Sequence, residues 1–199
     1  MFTGLIETMG EVRWLKQVEK SYELAISIDK TAKPMRAGDS LAVNGCCLTI
    51  ARIQGQLVYF NLLEETLSRT NLKLLRPGGQ VNLESALTPN QPMGGHFVQG
   101  HVDCQAEVVA YESVKADHRL EVALPANFAQ YVCYKGSISI NGVSLTVAEL
   151  LSESFVVWVI PYTHRHTNLS FLKKTHLVNL EFDILAKYIE RMLQSRGER

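Results

Sequence analysis

The chain has 199 residues, of which 46% are hydrophobic and 20% are charged, the composition of a folded protein large enough for two modest cores. Its 20 basic residues balance 20 acidic ones, so we expect neither nucleic acid nor a membrane surface as a partner. The longest apolar run, at 155–160, is far shorter than the roughly 20 residues that span a bilayer. The start, MFTGLIE, has no basic or long apolar segment, and we therefore expect a cytoplasmic protein without a signal peptide.

A hexapeptide occurs twice in nearly the same form, as NGCCLT at 44–49 and as NGVSLT at 141–146, a separation of 97 positions. Near the start, Gly4 matches Gly100 at a separation of 96, which a single inserted residue explains. Other segments that match at 97 positions are SLAV at 40–43 with SISI at 137–140, and VNLE at 81–84 with VNLE at 178–181. The pattern predicts a tandem duplication with copies of roughly 90 residues, far longer than the repeats of a solenoid.

Runs of β-branched and aromatic residues predict strands at equivalent places in the two copies, QLVYFNLL at 56–63 and SFVVWVIPY at 154–162. Glycine- and proline-containing turns separate such runs. The turn signals are RAGD at 36–39, QGQ at 54–56, RPGG at 76–79 and YKG at 134–136. Several short strands in each copy, spaced by turns, predict a small closed barrel or a sandwich in each half.

The segment ALTPNQPMGG at 86–95 is predicted to link the two copies, because it holds two prolines and two glycines. From Phe182 to Leu193 apolar residues recur at helical spacing, with charged residues between them. This predicted amphipathic helix has no counterpart after the first copy, and its apolar stripe needs a partner, either the chain's own barrel or other subunits. The predicted domains are 1–88, 95–183 and a helical tail at 184–199.

The repeated hexapeptide places small polar residues on one face of a predicted strand. Cys47 and Thr49 alternate with apolar residues in the first copy, and Ser144 and Thr146 do so in the second. Ordinary outward-facing strand residues would give the same pattern, as would a site that hydrogen-bonds the edge of a ligand. The pairing of polar positions across the repeat favours a ligand site in each half.

The histidines do not form a recognisable metal site. His96 and His101 are five positions apart, and a second pair, His164 and His166, lies in the second copy. Neither pair has enough ligands at the spacings that zinc requires. His101 matches Leu5 of the first copy, so it introduces an ionisable group at one of two equivalent positions. It is therefore a candidate for proton transfer or ligand contact.

The four cysteines, Cys46, Cys47, Cys104 and Cys133, form no Cys-x-x-Cys pattern. The adjacent pair Cys46 and Cys47 would project to opposite faces of a strand. We therefore expect free thiols, as in a reducing compartment. No glycine pattern for dinucleotides or nucleoside triphosphates is present.

Several longer motifs together cover nearly the whole chain. They are MFTGLIE at 1–7, SLAVNGCCLTI at 40–50, EETLSRTNL at 64–72, MGGHFVQGHVD at 93–103, KGSISINGVSLTV at 135–147 and VNLEFD at 178–183. With these motifs the sequence resembles the riboflavin synthase family of the alpha-chain type. The resemblance implies an all-β fold of two homologous six-stranded Greek-key β-barrels, followed by a C-terminal α-helix that holds a homotrimer together.

The resemblance also implies a transferase reaction without metal or redox cofactor. Two molecules of 6,7-dimethyl-8-ribityllumazine dismutate to riboflavin and 5-amino-6-ribitylamino-uracil by transfer of a four-carbon unit. Two homologous pockets would hold one flat substrate each, and the reaction is asymmetric because one substrate is the donor and the other the acceptor. The resemblance also implies a possible association with lumazine synthase.

Substrate contacts implied by the resemblance fall in both halves, and the two halves would each form one pocket. In the first half they are Gly4, Leu5, Ile6, Ser40, Cys47, Leu48, Thr49, Asn61, Leu62, Leu63, Glu64, Glu65 and Thr66. In the second half they are Gly100, His101, Val102, Lys135, Ser144, Leu145, Thr146, Ile160, Pro161, Tyr162, Thr163, His164 and Arg165, with Asp183 nearby. The candidates for the chemistry are Cys47, His101, Ser144 and Thr146.

Two other functions fit this type of barrel. One is a non-catalytic antenna protein that binds lumazine or flavin as a chromophore. The other is the flavin-binding barrel of a reductase, which would need a nicotinamide-binding domain that the length and the missing glycine pattern exclude. Cys46-Cys47, His101, Lys135, Ser144 and Thr146 favour the enzyme over the antenna protein, because such antenna relatives tend to lose these residues.

Overall fold

The structure is a computed structural model that describes residues 1–19, 21–29 and 34–197. Residues 198 and 199, the end of the predicted helical tail, lie outside the described residues. The described residues form two β-barrels in sequence, joined by a short segment and followed by one helix.

The first half forms a closed six-stranded antiparallel barrel. Its strands are β1 (Thr8–Val18), β2 (Ser21–Ser27), β3 (Ser40–Val43), β4 (Cys46–Gln54), β5 (Leu57–Leu62) and β6 (Gln80–Ser85). Around the barrel they follow the order β1-β2-β5-β4-β3-β6, and β6 pairs with β1 to close it. The step from β2 to β5 makes this a Greek-key barrel, and the closing β6–β1 pair gives each of these six strands a neighbour on both sides.

The second half repeats this topology. Its strands are β7 (Cys104–Val114), β8 (Asp117–Ala123), β9 (Ser137–Ile140), β10 (Val143–Leu150), β11 (Ser154–Val159) and β12 (Leu177–Phe182). They are arranged in the order β7-β8-β11-β10-β9-β12, the same connectivity as in the first barrel. The predicted duplication and the all-β fold of two Greek-key barrels are therefore confirmed, and a sandwich is excluded.

Among the described residues, three α-helices and three 3₁₀ segments complete the fold. The helices are α1 (Glu64–Arg69), α2 (Pro161–His166) and α3 (Ile184–Gly197), and the 3₁₀ turns are Asn71–Leu74, Ala126–Tyr131 and Asn168–Phe171. The prediction of a strand through residue 162 was wrong, because β11 ends at Val159 and Pro161 is the first residue of α2. Proline is suited to that position, since its fixed φ matches the helix and its missing N–H would be unpaired there anyway.

Each barrel has its own core, and the strand alternation agrees with the prediction. Phe60 and Leu24 are fully buried in the first barrel, and Phe155 and Leu120 are fully buried in the second. A small third cluster forms around Phe2, Ala42 and Val98 where the two halves meet. Burial of each such large side chain stabilises the fold by about 1.5–3 kcal/mol. Each half therefore has its own hydrophobic core, and the third cluster marks the seam between the two halves.

Six buried asparagines connect the barrels at this seam. They are the pairs Asn44 with Asn141, Asn71 with Asn168, and Asn82 with Asn179, each separated by 97 positions. The Asn82 amide donates to the Asn141 carbonyl at 2.9 Å, and the Asn179 amide donates to the Asn44 carbonyl at 2.8 Å. Because buried polar groups are costly unless paired, this reciprocal network selects one docking geometry for the two barrels.

Helix α3 lies against the second barrel through polar contacts. The Lys187 ammonium pairs with Asp103 at 2.7 Å, and the Glu190 carboxylate accepts hydrogen bonds from Tyr131 and Gln130. Five of its apolar side chains are instead more than half exposed: Leu185, Tyr188, Ile189, Met192 and Leu193. The chain's own barrels therefore leave the apolar face of α3 uncovered. In the described residues, none of the helices has the length and apolar character needed to cross a membrane.

Candidate active site

The polar pairs of the hexapeptides lie on the outer faces of β4 and β10. Cys47 is half-buried and Thr49 is exposed, whereas Leu48 faces the core of the first barrel and is 6% exposed. On β10, Ser144 is half-buried and Thr146 is exposed. The predicted alternation is therefore confirmed, and the four small polar side chains lie on the strand faces that point away from the barrel cores.

Each of these strands is contacted by a loop from the other half of the chain. The backbone N–H of Ser144 donates to the Gly4 carbonyl at 2.8 Å, and the N–H of Cys47 donates to the Gly100 carbonyl at 2.8 Å. Both glycines have positive φ values, 78° at Gly4 and 81° at Gly100. A Cβ at Gly4 would lie 2.5 Å from the Ser144 Cβ, and one at Gly100 would lie 2.6 Å from the Cys47 Cβ. Glycine is therefore required at both positions, for its backbone conformation and for the close approach.

The hydrophobic side chains two positions after these glycines also contact the opposite half of the chain. Ile6 packs against the core of the second barrel, and Val102 packs against the core of the first. The exchange starts at Phe2 and Val98, which form an antiparallel bridge between the two loop segments. The grouping of pocket residues by halves was therefore wrong: the Gly4 loop belongs with β10, and the Gly100 loop belongs with β4.

We call these two regions the Ser144 site and the Cys47 site. The Ser144 site consists of residues 4–6, β10 and residues 160–165 at the end of β11 and in α2. The Cys47 site consists of residues 100–102, β4 and residues 61–66 at the end of β5 and in α1. Each site thus combines one loop from one half with a strand and a helix from the other.

Two buried glutamates hold the loops in place. The Glu84 carboxylate accepts hydrogen bonds from the N–H and hydroxyl of Thr3, at 2.6 and 2.7 Å, and from the Gly4 N–H at 3.0 Å. The Glu181 carboxylate accepts from the N–H groups of Gln99 and Gly100 at 2.6 and 2.9 Å. These glutamates are the last residues of the repeated VNLE segments, but sequence reasoning gave them no role. Their repetition was the signal that could have identified them.

The two glutamates differ electrostatically from surface carboxylates. Burial raises the pKa of Glu181 to about 7 despite its two backbone hydrogen bonds, and burial also raises the pKa of Glu84. Removing a carboxylate from water disfavours its charged form, and the N–H donors offset only part of that cost. The Glu181 carboxyl, which holds the loop of the Cys47 site, therefore has a pKa close to neutral pH.

A cavity of about 350 Å³ opens at the Ser144 site. Its lining residues are Lys135, Ser144, Leu145, Thr146, Ala148, Trp158, Ile160 and Thr163. Six of these were predicted, whereas Ala148 and Trp158 were not. Trp158 is 39% exposed and borders the cavity, where its indole offers aromatic surface to a flat heteroaromatic ligand. The hydroxyls and the ammonium of Lys135 supply donors for the polar edge of such a ligand.

The equivalent positions of the Cys47 site carry different chemistry. At a separation of 97 positions, Gly38 replaces Lys135 and Asn61 replaces Trp158. The Cys47 site therefore lacks the cation and the indole at these two positions. The two sites share a backbone arrangement but differ in charge, in aromatic surface and in carrying a thiol (Cys47) or a hydroxyl (Ser144).

The structure also assigns several predicted residues to the core or to other contacts. The side chains of Leu48 and Leu62 point into the first core, so only their backbone groups are available to a ligand. Ser40 pairs with Thr49 across β3 and β4 but also borders a separate cavity of about 470 Å³. His101 is exposed in the loop of the Cys47 site.

The helical ends of the two sites are mostly exposed. In α1, Glu65 forms an ion pair with Arg69, and Leu63 just before the helix is 67% exposed. In α2, Tyr162 is 66% exposed, and the His164 ring stacks on His118 with centroids 3.7 Å apart. The His164 ring is therefore occupied by a protein partner. The remaining predicted residues in this region are Asn61, Glu64 and Thr66 in the Cys47 site and Pro161, Thr163 and Arg165 in the Ser144 site.

His96 joins the Ser144 site, although the sequence analysis assigned it no specific role. Its Nδ1 lies 2.7 Å from the Ser144 hydroxyl oxygen, and its Nε2 is buried without a hydrogen-bond partner among the described residues. Burial lowers the pKa of His96, and the negative charge of Asp183 opposes that shift. Asp183 itself accepts a hydrogen bond from the Leu185 N–H at the start of α3. In the parts of the chain that the structure describes, no cluster of three or more metal-binding side chains occurs.

Two homologous barrels with exchanged loops and one outward-facing polar site each define a two-domain β-barrel protein with a pair of related candidate ligand sites. A family model described as the lumazine binding domain matches residues 3–86 and 99–183, and the chain belongs to that family. The two matches coincide with the two barrels.

Curated relatives give the family a more specific identity. The chain is 42% identical to a riboflavin synthase of Mycobacterium bovis, covering 99% of this chain and 100% of the relative. It is 36% identical to riboflavin synthase of Photobacterium phosphoreum, covering 97% of this chain and 89% of the relative. For the Bacillus subtilis enzyme the identity is 35%, covering 100% of this chain and 92% of the relative. The chain is a member of the riboflavin synthase family, and the predicted resemblance and enzyme class are confirmed.

Solved structures of LumP are also similar. LumP complexed with 6,7-dimethyl-8-(1'-D-ribityl) lumazine superposes with a TM-score of 0.83 at 25% identity, covering 92% of this chain and 99% of that chain. LumP complexed with riboflavin gives a TM-score of 0.85 at 25% identity and the same coverage. The riboflavin synthases are closer in sequence than these LumP structures, which share the fold.

Proposed function

We propose that the chain catalyses the dismutation of two 6,7-dimethyl-8-ribityllumazine molecules to riboflavin and 5-amino-6-ribitylamino-uracil. The observation that carries this proposal is the pair of homologous loop–strand sites that differ in their polar side chains. A reaction between two copies of one substrate needs two related sites, and a donor and an acceptor need sites that are not identical.

In this reaction a four-carbon unit leaves the donor ring and is incorporated into the acceptor ring. The donor becomes the aminouracil, the acceptor becomes riboflavin, and no external oxidant or reductant is required. Orientation of the two rings supplies a large part of the rate enhancement, because a fixed approach replaces a random encounter and contributes on the order of 7–11 kcal/mol in favourable cases.

The side chains have distinct roles in this proposal. Backbone groups of the Gly4 and Gly100 loops and the polar pairs on β4 and β10 hold the heterocycles. Cys47, His101, Ser144 and Thr146 are the groups that exchange protons with the substrates, stabilise charge on their rings or add to the acceptor ring. Lys135 and Trp158 give the Ser144 site a different affinity from the Cys47 site, which separates donor from acceptor.

We further propose a homotrimer assembled through the exposed apolar face of α3. The proposal includes a cytoplasmic location, in keeping with four free cysteines. Lumazine synthase is a partner to test for, as the supplier of the substrate. The proposal keeps the domain division at 1–88, 95–183 and 184–199, and the bounds of the barrel strands and the start of α3 support it.

Incubation with the lumazine alone tests the proposed reaction. We expect riboflavin absorbance to appear together with an equal amount of the aminouracil, and the double variant Ser144→Ala, Thr146→Ala to serve as an impaired control. An antenna protein, the second candidate suggested by the LumP structures, would bind the lumazine and change its fluorescence without forming riboflavin. Binding without turnover would therefore replace the enzyme with the antenna function.

A further inference from the structure

His96 lies where the segment between the barrels folds back over the Ser144 site. Its backbone N–H donates to the Thr3 carbonyl at 3.2 Å, which ties it to the Gly4 loop. The preceding Gly95 is in closer contact still, because a Cβ there would lie 2.0 Å from the Thr3 oxygen. Only glycine permits this approach, and it brings the imidazole of the next residue against Ser144.

The Ser144 hydroxyl is thereby in contact with a specific ring nitrogen. Its oxygen lies 2.7 Å from His96 Nδ1, a short and well-formed hydrogen bond. Ser144 also lines the cavity of about 350 Å³. The Cys47 thiol has no such side-chain hydrogen bond within the described residues, so this contact is a further difference between the two sites.

The other ring nitrogen determines the direction of the hydrogen bond. Nε2 of His96 is buried and has no partner among the described residues. A buried N–H without an acceptor is rarer in proteins than a buried acceptor without a donor. The neutral ring is therefore better accommodated with its proton on Nδ1, where it donates to the Ser144 oxygen, and with a bare lone pair on Nε2.

We infer that His96 is a positioning residue that donates its Nδ1–H to Ser144 and thereby turns the Ser144 hydroxyl hydrogen toward the cavity. Ser144 then acts as a hydrogen-bond donor to the bound heterocycle. It stabilises negative charge on a ring oxygen or nitrogen and does not serve as a base. This inference rests on the proposed function of the Ser144 site. It adds the orientation of the Ser144 hydroxyl, which the contact with His96 determines.

Two substitutions at His96 test the inference. Asparagine can place an amide N–H close to the position of Nδ1, whereas leucine fills the space without a donor. We expect His96→Leu to lower kcat about tenfold, the effect of one lost hydrogen bond, with a smaller change in KM. We expect His96→Asn to recover most of that loss. The exposed histidine variant His176→Leu should match the wild type.

A double-mutant cycle with Ser144→Ala separates positioning from a structural role. If His96 acts through Ser144, adding His96→Leu to Ser144→Ala should cause little further loss of kcat. Additive losses, or an equal loss of activity in His96→Asn and His96→Leu, would overturn the inference. A kcat that falls in acid for the wild type but not for His96→Asn would also overturn the inference. Such a fall would mean that Nδ1 accepts the hydrogen bond from Ser144, because protonation of Nδ1 would then break that bond.

Binding measurements keep this test separate from the proposed reaction. Fluorescence titration with 6,7-dimethyl-8-ribityllumazine measures the same cycle without turnover. Failure of the wild type to form riboflavin would sink the proposed reaction. In an active enzyme, a loss of lumazine binding in His96→Leu as large as its loss of kcat, or additive kcat losses in the cycle, would sink the positioning role.

Discussion

Cys47 and Ser144 are equivalent residues with different chemistry. Both are half-buried and both donate their backbone N–H to a glycine of the opposite half. The side chain can therefore be changed without loss of the backbone contact that positions the loop. The contribution of the thiol to function is for this reason open to direct measurement.

We expect Cys47→Ser to fold normally and to retain reduced activity, because a hydroxyl also donates a hydrogen bond. We expect Cys47→Ala to lose more activity, because it removes the donor altogether. Steady-state riboflavin formation and thermal unfolding of both variants measure the effect, with the exposed Cys133→Ala as a matched control. Near-wild-type rates in both Cys47 variants would show that the thiol plays no part in the chemistry.

Glu181 predicts a specific pH dependence of stability. Burial raises its pKa from 4.5 to about 7, so between these values the folded state binds more protons than the unfolded state. The free energy of unfolding that this group contributes is therefore present in full below pH 4.5 and is lost as pH rises through 7. Glutamine at this position cannot titrate.

We expect the wild type to lose stability relative to Glu181→Gln, by about 3 kcal/mol at most, when the pH is raised from about 5 to about 8. Urea unfolding of both proteins at the two pH values measures the difference. Glu84 is present in both proteins, so its own titration cancels. Identical pH dependences in the two proteins would contradict the raised pKa.

Helix α3 is the element that lacks an intramolecular partner for its apolar face. Asp103 and Tyr131 hold its polar side against the second barrel, while Ile189 and Met192 are 58% and 60% exposed. A soluble helix with such a stripe buries it against another surface. The same face on neighbouring subunits is the partner that the proposed trimer supplies.

Deletion of the residues after Asp183 should give monomers with folded barrels and little riboflavin formation. The barrels remain because their cores do not include α3, and activity falls if substrates meet between subunits. Sedimentation, circular dichroism and turnover measure these three properties. Ile189→Asp should act in the same direction, whereas the exposed polar change Gln194→Asp should leave the oligomer intact. A truncated chain that still sediments as a trimer would refute the role of the helix.

The two barrels of the whole molecule are joined by reciprocal contacts. The N–H of Asn71 donates to Asn179 at 2.7 Å, and the N–H of Asn168 donates to Asn82 at 2.6 Å. Together with the exchanged loops, these bonds make each site depend on both halves of the chain. In the proposed trimer, the two substrates of one reaction bind either to one subunit or to neighbouring subunits, and the two arrangements predict different results when damaged subunits are mixed.

Mixing of two inactive variants tests the pairing of sites. Cys47→Ala with Thr49→Ala damages the Cys47 site, and Ser144→Ala with Thr146→Ala damages the Ser144 site. Each variant alone should be nearly inactive, because both substrates must be oriented. After joint unfolding and refolding we expect activity to recover, because mixed trimers bring an intact Cys47 site of one subunit to an intact Ser144 site of its neighbour. Mixed trimers that are verified by native mass spectrometry but inactive would place both sites of one reaction in a single subunit.

Local patterns were sufficient for much of the fold. Strand alternation placed Leu48 in the core and Thr49 outside, because successive strand residues face opposite sides. The proline at 161 was a signal for the end of β11 that the β-rich run before it obscured. Glu181 and Trp158 were missed, since a repeated glutamate and an aromatic in a strand have ordinary structural explanations.

By itself the sequence determined the duplication, the two barrel units, the amphipathic tail and the polar pairs, because repeats and periodicities are properties of neighbouring residues. Only the tertiary structure decided that Gly4 belongs with Ser144 and Gly100 with Cys47. The antiparallel bridge between Phe2 and Val98 and the docking of two closed barrels create those contacts. The same docking brings His96 to the Ser144 hydroxyl, a contact between residues 48 positions apart that depends on how the linker folds back in space.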